Sequence, residues 1–220
     1  MSERNTENAQ GRSADGDEAE TPFGERFVVE ADCARCPELV ACRTEISWGT
    51  GPRDASVMVV GEAPGAGDPS ADRWRGGNHT GAAYTTRHSG RRVRRLLAAV
   101  GHPDAYYTNA VKCFPCDGAG SNREPTAAER ANCRSHLETE VAEVEPEVVV
   151  STGKHATATM LAFDGRELDG FLDSVLEPVA LDAFDVTLLP LLHPSYQDVW
   201  LSRLGYTDAE YRAAIRARLP

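Results

Sequence analysis

Four short runs of apolar, mostly β-branched or aromatic residues recur along the chain: Val57-Met58-Val59-Val60, Tyr106–Val111, Val148-Val149-Val150 and Leu188–Leu192. Runs that do not alternate with polar positions read as strands buried on both faces, the pattern of a parallel sheet covered by helices. Between the runs the period becomes helical. Gly90–Val100 is basic and amphipathic, Thr126–Val144 opens with the capping-box spacing Thr126-Ala-Ala-Glu129, and Lys154–Phe163 follows a Ser-Thr-Gly turn. A last helix is predicted over about Asp208–Arg218, and Leu176–Leu189 is expected to hold an added antiparallel strand. The alternation predicts an α/β fold: a three-layer α/β/α domain around a central four-stranded, mainly parallel sheet.

In such a sheet the ligand crevice lies beyond the carboxyl ends of the strands. The residues there are Gly61-Glu62-Ala63-Pro64-Gly65-Ala66-Gly67-Asp68, Thr108-Asn109-Ala110-Val111-Lys112-Cys113, Ser151-Thr152-Gly153 and His193-Pro194-Ser195. Glycines and polar side chains converge on one edge, which makes that edge the candidate site. The first loop matches neither a phosphate-binding P-loop nor a dinucleotide fingerprint. It can expose backbone amides while aiming the Glu62 carboxylate at a ligand. Asn109 offers a donor and an acceptor together, the pair needed to read an imide edge. His193 can donate to a developing oxyanion.

Composition and charge refine this picture. Residues 1–24 lack periodicity and are rich in Ser, Asn, Gly, Asp and Glu, so they are expected to be a disordered acidic tail ahead of one domain over 25–220. The net charge is −11, and residues 1–32, with nine acids against three arginines, hold about half of that excess. Two lysines stand against twenty-one arginines. An acidic, lysine-poor surface suits a saline interior, where dense carboxylates hold hydration. No stretch of about 18 apolar residues and no signal-peptide pattern occurs, so a cytoplasmic protein without a membrane span is expected.

Against that acidity one segment is strongly cationic. Arg87 to Arg95 carries five arginines in nine residues at a predicted helix N-terminus. Backbone amides there add to phosphate attraction, so Arg91, Arg92, Arg94 and Arg95, with Ser195 on the neighbouring turn, are candidate nucleic-acid contacts.

Six cysteines in a cytoplasmic chain argue for metal ligation or redox chemistry before disulfides. Cys33-Ala-Arg-Cys36 forms a C-x2-C pair, and Cys113, Cys116 and Cys133 lie far downstream. Two thiolates from the pair and two from the later group would complete a tetrahedral zinc site or an iron–sulfur cubane. By spacing alone the second pair is Cys113 with Cys133 or Cys113 with Cys116. Cys42 fits a small apolar packing residue.

Taken in order, these segments resemble the family 4 uracil-DNA glycosylases, the thermostable iron–sulfur class of prokaryotes. The resemblance runs from Cys33 to about Tyr196: C-x2-C-P, a strand with GEAPG, T-G-x-x-aromatic, TNAVKC-x-P, a helical cysteine, a third βα-turn glycine, and HPS. It implies the fold of that family and excision of uracil from DNA in base-excision repair. It implies that Cys33, Cys36, Cys113 and Cys133 ligate a [4Fe–4S] cluster, with Cys42 and Cys116 spare. Cys133 lies further on than is usual, which the Asp117-Gly118-Ala119-Gly120 insert explains. By the same resemblance Glu62, Ala63 and Pro64 hold the uracil edge and the attacking water, and Asp68 is a second catalytic carboxylate. Asn109 pairs with the uracil imide, His193 stabilises charge on uracil O2, and Tyr84 stacks on the base and rejects thymine. The Thr80–Thr86 segment departs from the family's usual loop. A monomer is expected, with uracil-containing DNA as substrate and a sliding clamp as candidate protein partner. Two other readings stand beside this one: a superfamily glycosylase with shifted base specificity, and a non-catalytic iron–sulfur or zinc protein that binds nucleic acid.

Overall fold

In a computed structural model that describes residues 23–220, each of the four apolar runs is a strand of one sheet. The strands are β1 (Arg26–Phe27), β2 (Gly49–Thr50), β3 (Val57–Gly61), β4 (Tyr106–Asn109), β5 (Val148–Thr152), β6 (Val179–Leu181) and β7 (Val186–Leu191). The helices are α1 (Pro37–Cys42), α2 (Gly77–Thr80), α3 (Ser89–Val100), α4 (Ala127–Val144), α5 (Lys154–Leu161), α6 (Phe171–Ser174), α7 (Gln197–Arg203) and α8 (Asp208–Arg216). The spatial order is β1-β2-β4-β3-β5-β7-β6. The four central strands β4, β3, β5 and β7 pair in parallel, and β6 adds antiparallel to β7, as expected. Two strands, β1 and β2, extend the other edge beyond the four-stranded core, both antiparallel.

The three layers follow from side-chain alternation along the strands. Val57 and Val59 of β3, Tyr107 of β4 and Leu189 of β7 bury one face under Val93 and Leu97 of α3 and Tyr211 and Ile215 of α8. Met58, Val60, Tyr106 and Leu188 bury the other under Leu137 and Val141 of α4 and Met160 of α5. The capping box that opens α4 is formed in both directions: Glu129 N donates to Thr126 Oγ1 at 3.2 Å, and Thr126 N donates to Glu129 Oε2 at 2.7 Å.

The tail expected over 1–24 lies outside the described residues up to residue 22. Phe23, inside that expected tail, is buried, with its ring 4.9 Å from that of Trp74. Among the described residues no helix is long and apolar enough to cross a membrane.

Candidate active site

The carboxyl ends of β3, β4, β5 and β7 open into a cavity of about 980 Å³. Chain order runs from β3 to β4 on one side and crosses to β5 on the other, so the cavity stands at the switch point where such sheets bind ligands. Gly61, Glu62, Pro64, Asp68, Tyr84, Asn109, His193 and Ser195 all line it. The residues expected at the site therefore come together from four strand ends, but they do not all stand in positions suited to the same work.

Asn109 ends β4 and is 5% exposed. Its backbone is pinned from below by a buried ion pair absent from the sequence reading. Lys112 Nζ donates to Asn109 O at 2.6 Å, to Thr108 Oγ1 at 2.7 Å and to Glu140 Oε2 at 2.5 Å. Lys112 and Glu140 are both fully buried, and Glu140 also accepts from Gly49 N at 3.1 Å. Breaking one partner of such a pair strands a charge in the core. The pair fixes the strand end that presents Asn109.

Gly61 is required by close approach. A Cβ there would sit 2.5 Å from Asn109 Oδ1 and 2.7 Å from the Tyr84 hydroxyl, so only glycine lets both side chains reach the cavity floor. Tyr84 takes a left-handed backbone, φ 55°, unusual for an aromatic residue. Its hydroxyl shares a 2.5 Å hydrogen bond with Thr152 Oγ1, and its ring is tilted on Tyr107 at 5.7 Å between centroids. Burial raises the Tyr84 phenol, so it stays neutral. The departing Thr80–Thr86 loop is therefore anchored to β5 through Thr152, which the sequence places on this edge without a role of its own.

His193 follows β7, whose end is held where Leu192 N donates to the Tyr211 hydroxyl at 2.9 Å. Its Nδ1 accepts from Ser195 N at 3.2 Å. A ring whose Nδ1 is an acceptor carries its proton on Nε2 when neutral. Burial, with the neighbouring His155, holds the ring below the usual histidine range, so the neutral form is favoured. Gly153, at φ 94°, packs against the ring, and a Cβ there would lie 3.0 Å from His193 Cβ. The site thus presents a positioned, uncharged N–H donor.

Glu62 leaves β3 with Oε1 buried and without a hydrogen-bond partner among the described residues. Burial raises its carboxyl, opposed by His155, reinforced by Glu124 and opposed by Arg130. His155, in the first turn of α5, also lines the cavity and was not anticipated, although a helix starting after a glycine turn on this edge was a visible signal. Asp68 differs from the expectation. It is exposed, and its Oδ1 accepts from Ser70 N at 2.9 Å and Ser70 Oγ at 2.6 Å, bonds that lower its pKa. Asp68 builds a local turn at the cavity's outer wall, whereas Glu62 lines the cavity with Oε1 buried. The loop before α4 supports the same segment: Asn122 Oδ1 accepts from Ala66 N at 3.0 Å.

Beside the cavity mouth a second depression of about 680 Å³ is lined by Arg87, Arg91, Arg92, Arg95, Ser195 and Arg212. Of the four arginines expected to contact nucleic acid, Arg91, Arg92 and Arg95 line this depression and Arg94 does not. Arg94 turns inward: Nε donates to Tyr84 O and Nη2 to Ala83 O, both at 3.1 Å, and the guanidinium lies 4.0 Å from the Tyr107 ring centroid. Burial lowers it to about 10. It braces the Tyr84 loop and does not line the depression. Arg92 forks onto the Asp198 carboxylate, which offsets its charge. Arg91 and Arg95 remain without an ion pair among the described residues, while Arg212 of α8 pairs with Asp208 on the same wall.

Cys33, Cys113 and Cys133 are buried in one cluster with Leu39, Trp48 and Val111, and Cys36 and Ala63 pack against it. Donors surround the sulfurs. Arg43 Nη1 lies 3.1 Å from Cys113 Sγ, Asn132 Nδ2 lies 3.4 Å from Cys36 Sγ, and His136 Nε2 lies 3.4 Å from Cys33 Sγ. Glu30, Cys33 and His136 bring ligand-type atoms within 4.8 Å of one another. Burial pushes the Cys133 thiol up to about 11 and raises Cys113 too. Cys42 and Cys116 are not the separate, spare residues that the sequence suggests. They form a disulfide across 74 residues, with Cα atoms 5.8 Å apart, that ties the end of α1 to the loop before α4. Only the fold brings that pair together.

One cavity at the switch point of a mainly parallel sheet thus gathers an imidazole, a buried carboxamide and a carboxylate, with arginines beside its mouth. Comparison with known proteins then identifies the chain. The Uracil DNA glycosylase superfamily profile matches residues 48–218, and the chain belongs to that superfamily. It is 30% identical over 203 residues to a Type-5 uracil-DNA glycosylase of Pyrobaculum aerophilum, covering 79% of this chain and 82% of that protein. It is 31% identical over 170 residues to a Type-4 uracil-DNA glycosylase of Thermotoga maritima, covering 74% and 77%. A Type-4 uracil-DNA glycosylase of Archaeoglobus fulgidus is 32% identical over 126 residues, 56% of each chain.

Proposed function

We propose that this protein excises uracil from DNA by hydrolysing the N-glycosidic bond, with residues 25–220 as its catalytic unit. The observation that carries the reading is the His193 ring, fixed by Ser195 N so that a neutral Nε2–H is the donor, across the cavity from buried Asn109. The target base must leave the stack before any atom is reachable. As the bond from C1′ to N1 breaks, its electron pair moves onto uracil, and charge accumulates at O2. A positioned neutral donor stabilises that charge without reorganisation. The Asn109 carboxamide pairs with the imide edge, and cytosine leaves those groups unmatched. Glu62 orients the attacking water and accepts its proton. Tyr84, locked to Thr152, forms the wall against which a flipped base stacks and a 5-methyl group collides.

The arginines of the second depression bind the DNA backbone. Replacing Arg91 and Arg95 with Gln should weaken binding equally for all sequences and reduce the salt slope by roughly two. Replacing Arg94 should instead destabilise the Tyr84 loop. Binding isotherms over a salt series separate the two outcomes.

We also infer that Cys33, Cys36, Cys113 and Cys133 hold a [4Fe–4S] cluster. Four unpaired cysteines meet in one apolar cluster, each of Cys33, Cys36 and Cys113 faces a nitrogen donor, and burial alone keeps Cys113 and Cys133 protonated. A bound metal cluster is what makes thiolates stable in such surroundings. It would supply a structural cross-link between the segment preceding α1 and α4, and no bond-breaking step.

The specificity part of this reading is tested with Asn109→Asp on strands containing uracil, cytosine or hypoxanthine. Wild type should release uracil alone, and the variant should lose discrimination between uracil and cytosine. Wild-type release of hypoxanthine in preference to uracil would overturn the assignment.

A further inference from the structure

Around Glu62 the structure places an imidazole that the excision chemistry above does not use. His155 Nδ1 lies 3.9 Å from Glu62 Oε1, the buried carboxylate oxygen without a partner, while His155 Nε2 lies 3.0 Å from Glu124 Oε1. Glu62 is 26% exposed, His155 32% and Glu124 71%, so the three groups step outward from the cavity to solvent. We propose that His155 is a positioning residue for Glu62: standing between that carboxylate and Glu124, it passes the water proton outward to the rim. The proposal rests on the excision reading.

The step balances. Water oxygen bonds to C1′ as the bond from C1′ to N1 breaks, and the bond's electron pair leaves on uracil. One water proton moves to Glu62 and from there to His155 Nδ1. The Nε2 proton is released toward Glu124 and solvent, and Glu62 returns as a carboxylate. The 3.9 Å gap is too long for a direct hydrogen bond and fits one bridging water.

The other charged groups near Glu62 are Arg130 of α4 and Glu124 of the preceding loop, and His193 after β7 faces His155. Burial and Glu124 both favour a protonated Glu62, and His155 and Arg130 oppose them. Removing His155 therefore leaves the protonating influences less opposed. Activity needs ionised Glu62 and is lost as pH falls through its pKa, so the acid limb must move to higher pH.

Single-turnover excision by the full chain is measured from about pH 5 to 9 for wild type, His155→Gln and His155→Lys, with DNA affinity measured on the same preparations. His155→Gln should move the acid limb up by about one pH unit and lower the plateau about tenfold, with affinity unchanged. His155→Lys places a cation beside Glu62 but supplies no relay, so its limb should return toward wild type while its plateau stays low. An unmoved limb in His155→Gln, or no return in His155→Lys, overturns the proposal while leaving uracil excision standing. Absence of uracil release by wild type would overturn both.

Discussion

His193→Ala should slow single-turnover uracil excision by roughly 100- to 1,000-fold while DNA affinity changes little. The residue stands after the last strand and not within the apolar core, so the fold should survive its truncation. What is lost is one donor to charge that appears only as the glycosidic bond breaks, which is why the effect falls on the rate and not on binding. Burial lowers the pKa of the His193 ring and so favours its neutral form, and the acid limb proposed for Glu62 should persist in the slowed variant. Rapid-quench excision with separate binding isotherms checks this. A variant that excises at the wild-type rate would remove His193 from the pocket chemistry, and loss of binding in step with rate would make its role one of affinity.

The second large effect is expected at the cysteines. Cys113→Ser and Cys133→Ser should each lose iron and the brown colour, and lower the melting temperature by about 10 °C, equivalent to roughly 3–4 kcal/mol in a chain of this length. Both sulfurs are buried among Leu39, Trp48 and Val111, and Ala63 of the Glu62 loop packs on the same cluster. Loss of the cluster should therefore disturb the catalytic loop as well as stability. Cys42→Ser should keep its iron, since Cys42 pairs with Cys116 outside that group. Iron and sulfide analysis of anaerobic preparations decides it. Stoichiometric zinc without iron would contradict the [4Fe–4S] assignment.

The sheet core was legible because its four strands are continuous apolar runs, and the helices because their periodicity and the Thr126–Glu129 box are local features. Strands β1 and β2 were not, since each spans two residues and exists only by pairing: Phe27 with Gly49, and Thr50 with Tyr107. The site edge was legible from the glycines and polar residues at the carboxyl end of each parallel strand. Its supporting contacts were not, because they join distant segments: Lys112 with Glu140, Tyr84 with Thr152, and His155 with Glu62 and Glu124. Arg94 was misread for a different reason. Counting arginines by composition ignores that Arg94 shares the helix face of Gly90 and Leu97, which is buried, and helical spacing would have separated it from Arg91 and Arg95. At Asp68 the local turn was not legible, because it depends on Ser70, two residues on, donating to the carboxylate.

Of all these expectations, uracil release by the unmodified chain bears most directly on the central claim. The measurement incubates purified protein with an oligonucleotide holding one labelled uracil, then follows the free base and the strand separately. Hydrolysis at C1′ predicts free uracil in step with an abasic site, on a strand still intact until alkali cleaves it. Retained label under conditions where the protein binds the oligonucleotide would contradict excision and leave a nucleic-acid-binding protein in its place.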